Sequence, residues 1–203
     1  GISRLASRDF RYAQELGYAI KLLAIAKKEN HSLQVRVHPA FVSEDLLLAK
    51  VDGVFNAVQV EGDLMGRVIF YGQGAGSMPT ASAVVADVIQ LAQNIKLGLS
   101  PKPQLQLDLA KTITPISQIK TRYYMRMTVT DYPGVLAQIS KVLGDHLISI
   151  ASVIQKEADE RAQTAEIVIM THPAQESALQ QALEETKKLA VVKEIGNFIR
   201  VAN

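Results

Sequence analysis

From residue 123 onward the chain alternates between two periodicities, and this alternation restricts its fold more than any other feature. Residues 123–130 (Tyr-Tyr-Met-Arg-Met-Thr-Val-Thr) have the composition of a strand. Residues 135–146 place Val135, Leu136, Ile139, Val142 and Leu143 on one side of a helix. Residues 148–155 and 165–171 read as strands parted by the polar Asp159-Glu160-Arg161. Pro173 opens a second helix with Leu179, Ala182, Leu183, Thr186 and Leu189 as its stripe, and 191–201 supplies a last strand. The order βαββαβ predicts an antiparallel sheet with two helices on one face. Such a unit leaves an edge strand that must be covered or paired, and pairing makes a dimer.

The first half is organised differently. Ser7 is expected to cap a short helix, 8–16, stopped by Gly17. Apolar residues at 20, 22, 23, 25 and 26 fit a helix or a strand. The period of two in Leu33-Gln34-Val35-Arg36-Val37-His38 favours a hairpin turned at 29–32. Pro39 is expected to end that strand, with His38 at its end, and Ser43 to cap a short helix with Glu44 and Asp45 in its first turn. Strands at 53–60 and 66–71, joined at Glu61-Gly62-Asp63, lead into Gly72-Gln73-Gly74-Ala75-Gly76. A helix follows, with Ser77 as its expected cap and Pro79 in the first turn, where a missing N–H costs nothing. Its stripe of Ala81, Val84, Val85, Val88, Ile89, Ala92 and Ile95 is expected to pack on the sheet, and Gly98 ends it. From 99 to 120 the periodicity fades around Pro101, Pro103 and Pro115, which reads as a linker. Leu105, Leu107, Leu109, Ile113 and Ile116 are too apolar for all of it to be free coil.

The glycine spacing is G-x-G-x-G, not the dinucleotide fingerprint, and no Gly-Lys-Ser/Thr follows, so a phosphate loop and a nucleotide kinase are excluded. Taken alone, the stretch serves equally as a tight strand-to-helix connection or as bare backbone for a ligand. A chain of 203 residues holds one large or two small domains. Without cysteine there is no disulfide or thiolate metal site. A net charge of +2, no Trp and scattered Phe and Tyr give no basis for nucleic-acid binding. No apolar run reaches the roughly 20 residues of a membrane helix, and a cytoplasmic location is expected. His31, His38, His146 and His172 lie in unrelated elements without metal-ligand spacing, so no metal is expected. Glu61 and Asp63 flank a turn glycine and read as hairpin chemistry, while Glu184, Glu185, Lys187 and Lys188 read as a solvated helix face.

The βαββαβ order with Asp131-Tyr132-Pro133-Gly134-Val135-Leu136 at its first strand-to-helix turn resembles an ACT domain, a ferredoxin-like amino-acid-sensing module, over residues 121–203. Backbone N–H groups at such a helix start can take a carboxylate. The resemblance implies an effector site at Asp131, Tyr132, Pro133, Gly134, Val135 and Leu136. Ser149 stands where ACT domains often have Asn.

The first half is similar to the second half of the catalytic domain of homoserine dehydrogenase. The resemblance rests on Asp9-Phe10, Ala13 through Leu23, Arg36-Val37-His38-Pro39, 51–63, and the glycine loop with Pro79-Thr80-Ala81-Ser82-Ala83-Val84-Val85-Ala86-Asp87. It implies an α+β chain divided into 1–98 (part of a catalytic domain, a mixed sheet with helices), a linker 99–120 and an ACT domain 121–203. It further implies reduction of aspartate semialdehyde to homoserine with NADP or NAD, with Gly76 contacting the nicotinamide cofactor and Gly72 and Gly74 shaping the approach. L-threonine is the implied effector, bound between ACT domains of a homo-oligomer, dimer or tetramer.

The chain opens at Gly1 in apolar text, and the family's nucleotide-binding domain and catalytic residues would precede it. No catalytic residue is therefore assigned here, and the chain is expected to be a C-terminal piece, inactive alone. Lys21 is not the family's catalytic lysine, which follows an Asp four residues earlier where this chain has Gly17. The alternative is a non-catalytic, amino-acid-sensing ACT regulatory protein.

Overall fold

The computed structural model describes residues 2–29, 32–99, 112–159 and 162–202, with the backbone alone at 156–159. In chain order the elements are α1 (Ser7–Glu15), β1 (Tyr18–Glu29), β2 (Ser32–Ser43), β3 (Phe55–Gly62), β4 (Gly66–Gln73), α2 (Ser77–Lys96), β5 (Thr112–Ile113) and β6 (Lys120–Thr121). Then follow β7 (Tyr123–Thr130), α3 (Val135–Asp145), β8 (Ile150–Asp159), β9 (Thr164–Thr171), β10 (Ala174–Gln175), α4 (Glu176–Thr186) and β11 (Val192–Ala202). Chain contacts group 2–45 with 112–202 as one compact unit and 46–99 as another. This division cuts the chain differently from the one implied by resemblance, 1–98, 99–120 and 121–203.

In the larger unit the βαββαβ order stands as read, with the sheet path β1-β2-β11-β7-β9-β8. Odd-numbered β7 residues Tyr123, Met125, Met127 and Val129 face α3 and α4, meeting Val135, Ile139, Leu143, Leu179 and Ala182 in one core. Even-numbered residues point the other way. There Tyr124 joins Val168, Met170, Ile199 and Phe41 under Tyr12 and Ala13 of α1. The expected free edge is occupied on one side by the chain itself: β2 pairs in parallel with β11, Ala40 to Arg200 through Val42 to Ala202.

The 18–29 segment is a strand, paired with β2 over twelve positions from Tyr18–Ser43 to Glu29–Ser32. Pro39 does not end β2, which runs to Ser43. Its missing donor is tolerated because β2 has a second neighbour only at 32–33, where β5 lies, and at 40–42. His38 is thus interior to the strand and buried, with Nδ1 donating to the Pro39 carbonyl oxygen (2.9 Å). Ser43 caps no helix; only a 3-10 turn, Leu47–Lys50, follows. Within the expected linker, residues 100–111, with Leu105, Leu107 and Leu109, lie outside the described residues, while Ile113 pairs beside Leu33.

Ser7 is likewise not the cap of α1. Ala6 is, and the role of a cap side chain passes to Asp9, whose Oδ2 accepts from the Ala6 N–H (2.9 Å). Asp9 is fully buried against β7. Its Oδ1 accepts from Arg126 Nε (2.7 Å) and the Tyr124 hydroxyl (3.0 Å), and its Oδ2 also accepts from Asn197 Nδ2 (3.0 Å). Arg126 Nη1 donates to Glu166 Oε2 (3.0 Å), which Arg8 also reaches at 3.3 Å. Burial raises the Asp9 pKa, but the donors from Arg126, Ala6 and Asn197 outweigh it and hold the carboxylate below its ordinary range. The guanidinium needs Gly196: a Cβ there would lie 2.6 Å from Arg126 Nη1. β11 shifts register at that point, between Ile195 and Asn197.

The smaller unit is a hairpin and a helix. β3 and β4 pair from Phe55–Gln73 to Gly62–Gly66. The stripe on α2 does not pack as expected. No α2 residue is buried, and Val84, Val88 and Ile95 are 56%, 59% and 79% exposed. Two strands offer too narrow a face for a twenty-residue helix, and no third strand stands in this unit among the described residues.

Removing one partner of a buried ion pair strands the other charge. Asp9→Ala should therefore destabilise the larger unit by about 3–5 kcal/mol in urea unfolding. Asp145→Ala, at the exposed Lys141–Asp145 pair (2.7 Å), should cost no more than about 0.5 kcal/mol.

Candidate functional site

Two places in the fold match the residues singled out by sequence, one in each unit. In the smaller unit, β4 delivers the glycine loop to α2. Gly72 is still paired, opposite Asn56, and Gly74 N–H donates to the Val54 carbonyl at 3.1 Å. Gly76 takes φ +123°, a conformation that side chains rarely adopt, and is the residue before the helix. Ser77 is therefore not the cap. The Gly76 carbonyl accepts from the Thr80 N–H (3.2 Å) and the Thr80 hydroxyl (2.7 Å). The loop and the first turn of α2 are exposed apart from a half-buried Pro79.

Asn56 went unnoticed in the sequence. Its side chain lies where a Gly74 side chain would be, with Nδ2 2.1 Å from the Cβ position. The strand register that pairs it with Gly72 is the signal, and register becomes visible only once the hairpin is aligned. At the far end of the same hairpin, Glu61 Oε2 accepts from Arg67 Nη2 (3.2 Å), and Asp63 Oδ1 accepts from the Leu64 N–H (3.0 Å). Both carboxylates thus serve the turn. Lys21 stands in β1 of the other unit, opposite Ala40.

In the larger unit, β7 ends at Thr130 and the chain turns through Asp131, Tyr132, Pro133 and Gly134 into α3. Asp131 N–H donates to the Gln163 carbonyl (2.9 Å), and Asp131 Oδ1 accepts from Gln155 Nε2 (3.3 Å). Gly134 takes φ +91° with open space where a Cβ would stand. Tyr132 is 74% exposed and Leu136 is partly open, whereas the Val135 side chain is in the core. Ser149 lies past the far end of α3, whose eleven residues put about 16 Å between it and the turn. It is exposed, and its carbonyl accepts from the His172 N–H (2.9 Å). One chain does not bring Ser149 to the turn.

On the helix side, Glu176 at the start of α4 is buried and held by Arg200 Nε (2.8 Å), Arg200 Nη2 (2.5 Å) and the Tyr123 hydroxyl (2.9 Å). Burial raises its pKa, but these donors and Gln180 outweigh it, so Glu176 remains a carboxylate below its usual range. The Tyr123 hydroxyl is pushed up by burial and by the charge of Glu176. The pair ties α4 to β11 and presents no acid or base to solvent.

Residues 1–89 match the family model described as homoserine dehydrogenase, and 123–191 match that of the ACT domain. The homoserine dehydrogenase of Neisseria gonorrhoeae is 43% identical over 206 residues, covering 99% of this chain and 47% of the relative. That of Helicobacter pylori is 39% identical over 206 residues, covering 100% and 47%. A solved homoserine dehydrogenase from Thiobacillus denitrificans superimposes with TM-score 0.88 at 38% identity, covering all of this chain and 47% of that one. The chain spans about half the length of the curated relatives it matches.

Gly76→Ala should weaken the start of α2 by about 1–3 kcal/mol, read as faster amide exchange across its first turn. At Gly72 no atom lies within 4 Å of the Cβ position and φ is not positive. Gly72→Ala should stay within about 0.5 kcal/mol of the parent.

Proposed function

Because the chain belongs to the homoserine dehydrogenase family and carries an ACT regulatory domain, we propose that it is the regulatory half, with part of the catalytic domain, of an enzyme interconverting L-aspartate 4-semialdehyde and L-homoserine. The observation that carries this reading is the tandem of family matches, 1–89 and 123–191, within a chain aligned end to end with dehydrogenases about twice its length. The divisions 1–98, 99–120 and 121–203 are the proposed segments. No described helix is long and apolar enough to cross a membrane, and a cytoplasmic enzyme of amino-acid biosynthesis is part of the same reading.

In this proposal Gly72, Gly74 and Gly76 line the approach of NADP or NAD, which supplies the hydride. The fit is steric. The loop is exposed, and its glycines carry no side chain to hold a flat group off the main chain. This chain's part is to bind and orient. Glu61 and Asp63 lie at the opposite end of the hairpin, engaged in its turn. With the proton-handling residues assigned to a preceding segment, the 203-residue chain should show no NADPH oxidation with aspartate semialdehyde, and measurable turnover would overturn that assignment.

The proposed regulation is feedback inhibition by L-threonine at the turn 131–136. Exposed Asp131 and Tyr132, with the open Gly134, are the contact surface. Since one chain separates Ser149 from the turn, a site using both draws them from two copies, which makes the working protein a homo-oligomer. The effector acts by binding one arrangement of the copies better than another. Saturating threonine, at 100 times its Kd, should stabilise the chain by about 2.7 kcal/mol, a rise of a few degrees in Tm. Isoleucine, methionine, lysine and serine should give less, and Gly134→Val should abolish the shift. An equal shift with all five amino acids would refute the assignment.

A further inference from the structure

Gly74 is a glycine for a different reason from Gly76. Its φ is not positive, so its backbone would accept another residue. What occupies the space of a side chain is Asn56, which an added group would have to push aside: a Cβ on Gly74 would lie 2.1 Å from Asn56 Nδ2, 2.8 Å from Cγ and 3.4 Å from the Asn56 Cβ. Three atoms of one side chain fill that space, so the loop presents at position 74 a carboxamide lent by the opposite strand. The register brings Asn56 beside Gly74, since Asn56 pairs with Gly72 and the Gly74 N–H is tied to the Val54 carbonyl at 3.1 Å.

The carboxamide has capacity to spare. Among the described residues its one hydrogen bond is a long one, Nδ2 to the Val54 carbonyl at 3.4 Å, and the residue is exposed. A carboxamide offers two N–H donors and an acceptor oxygen. Another primary carboxamide complements it, since the two can exchange a pair of N–H···O bonds. We propose that Asn56 is a specificity residue of the glycine loop and pairs with the carboxamide of a nicotinamide ring laid on Gly74. This rests on the reading of the loop as a cofactor approach and adds to it the group that recognises the ring. An isosteric acetyl group can accept one of those bonds but donates none, so the pairing discriminates between the two.

The test is a titration of the isotopically labelled full-length enzyme of which this chain is the proposed C-terminal part, followed by NMR at the Asn56 side-chain amide and the Gly74 and Gly76 backbone amides. NADPH and its reduced 3-acetylpyridine analogue are the two ligands. Losing one hydrogen-bonded partner corresponds to roughly 2- to 12-fold in affinity. The expected result is movement of the Asn56 amide with NADPH, weaker binding of the analogue by about that factor, and a preference that falls below about twofold in Asn56→Ala. The direct readout in the parent enzyme stands even if that variant folds poorly. Movement of Gly74 and Gly76 without Asn56, or a preference that survives Asn56→Ala, overturns the assignment to Asn56 and leaves the cofactor reading in place. No movement at any of the three overturns both. Equal affinity for the two ligands in the parent enzyme overturns the carboxamide pairing alone.

Discussion

The larger unit depends on a charge placed where charge is least welcome. Asp9 is fully buried with four donors for its two oxygens, and Arg126, its chief partner, also answers Glu166. Taking these groups out of water costs several kcal/mol for each ion, which close geometry and complete hydrogen bonding can offset. The consequence is positional. Apolar contacts under Tyr12 and Ala13 would allow α1 to slide, whereas a carboxylate that must meet Arg126, Tyr124 and Asn197 together permits one docking. β11 accommodates it with a register shift and a glycine. The face of the βαββαβ sheet opposite its own helices is thereby closed by the chain's first helix.

What could be read from the sequence follows the range of the forces involved. The strands and helices from Tyr123 to Ala202 were legible because periods of 2.0 and 3.6 are local properties, and their bounds differ by only a few residues from those observed. The β1–β2 hairpin was legible for the same reason. The failures are cases where a local rule yielded to a distant partner. Ser7 looked like a cap, but Asp9 had already satisfied the Ala6 N–H. Pro39 looked like a strand end, but the neighbouring strand begins one residue later. The α2 stripe looked like a packed face, and amphipathicity shows only that a helix has an apolar side, not that the side is covered.

The glycine loop shows the same limit at the level of the site. Its three glycines look alike in sequence and differ in structure: Gly72 is paired in a strand, Gly74 makes room for Asn56, and Gly76 holds a backbone angle suited to glycine. Spacing alone could not separate these roles, because each depends on what stands opposite. At the turn into α3 the ambiguity was smaller. Asp131 to Gly134 are consecutive, and a tight turn exposes consecutive residues by construction, whereas Ser149 belongs to the far end of the helix.

The parallel pairing of Ala40–Val42 with Arg200–Ala202 joins points about 160 residues apart in the chain. Contacts of such separation form late, since closure entropy must be met before they contribute. A ribosome releases the hairpin long before its partner strand. Throughout synthesis β2 therefore has an unpaired flank, and Asp9 awaits an arginine not yet translated. Completion of this unit is timed by β11, the last of its strands to be made, and until it emerges the open strand is exposed to the wrong neighbours.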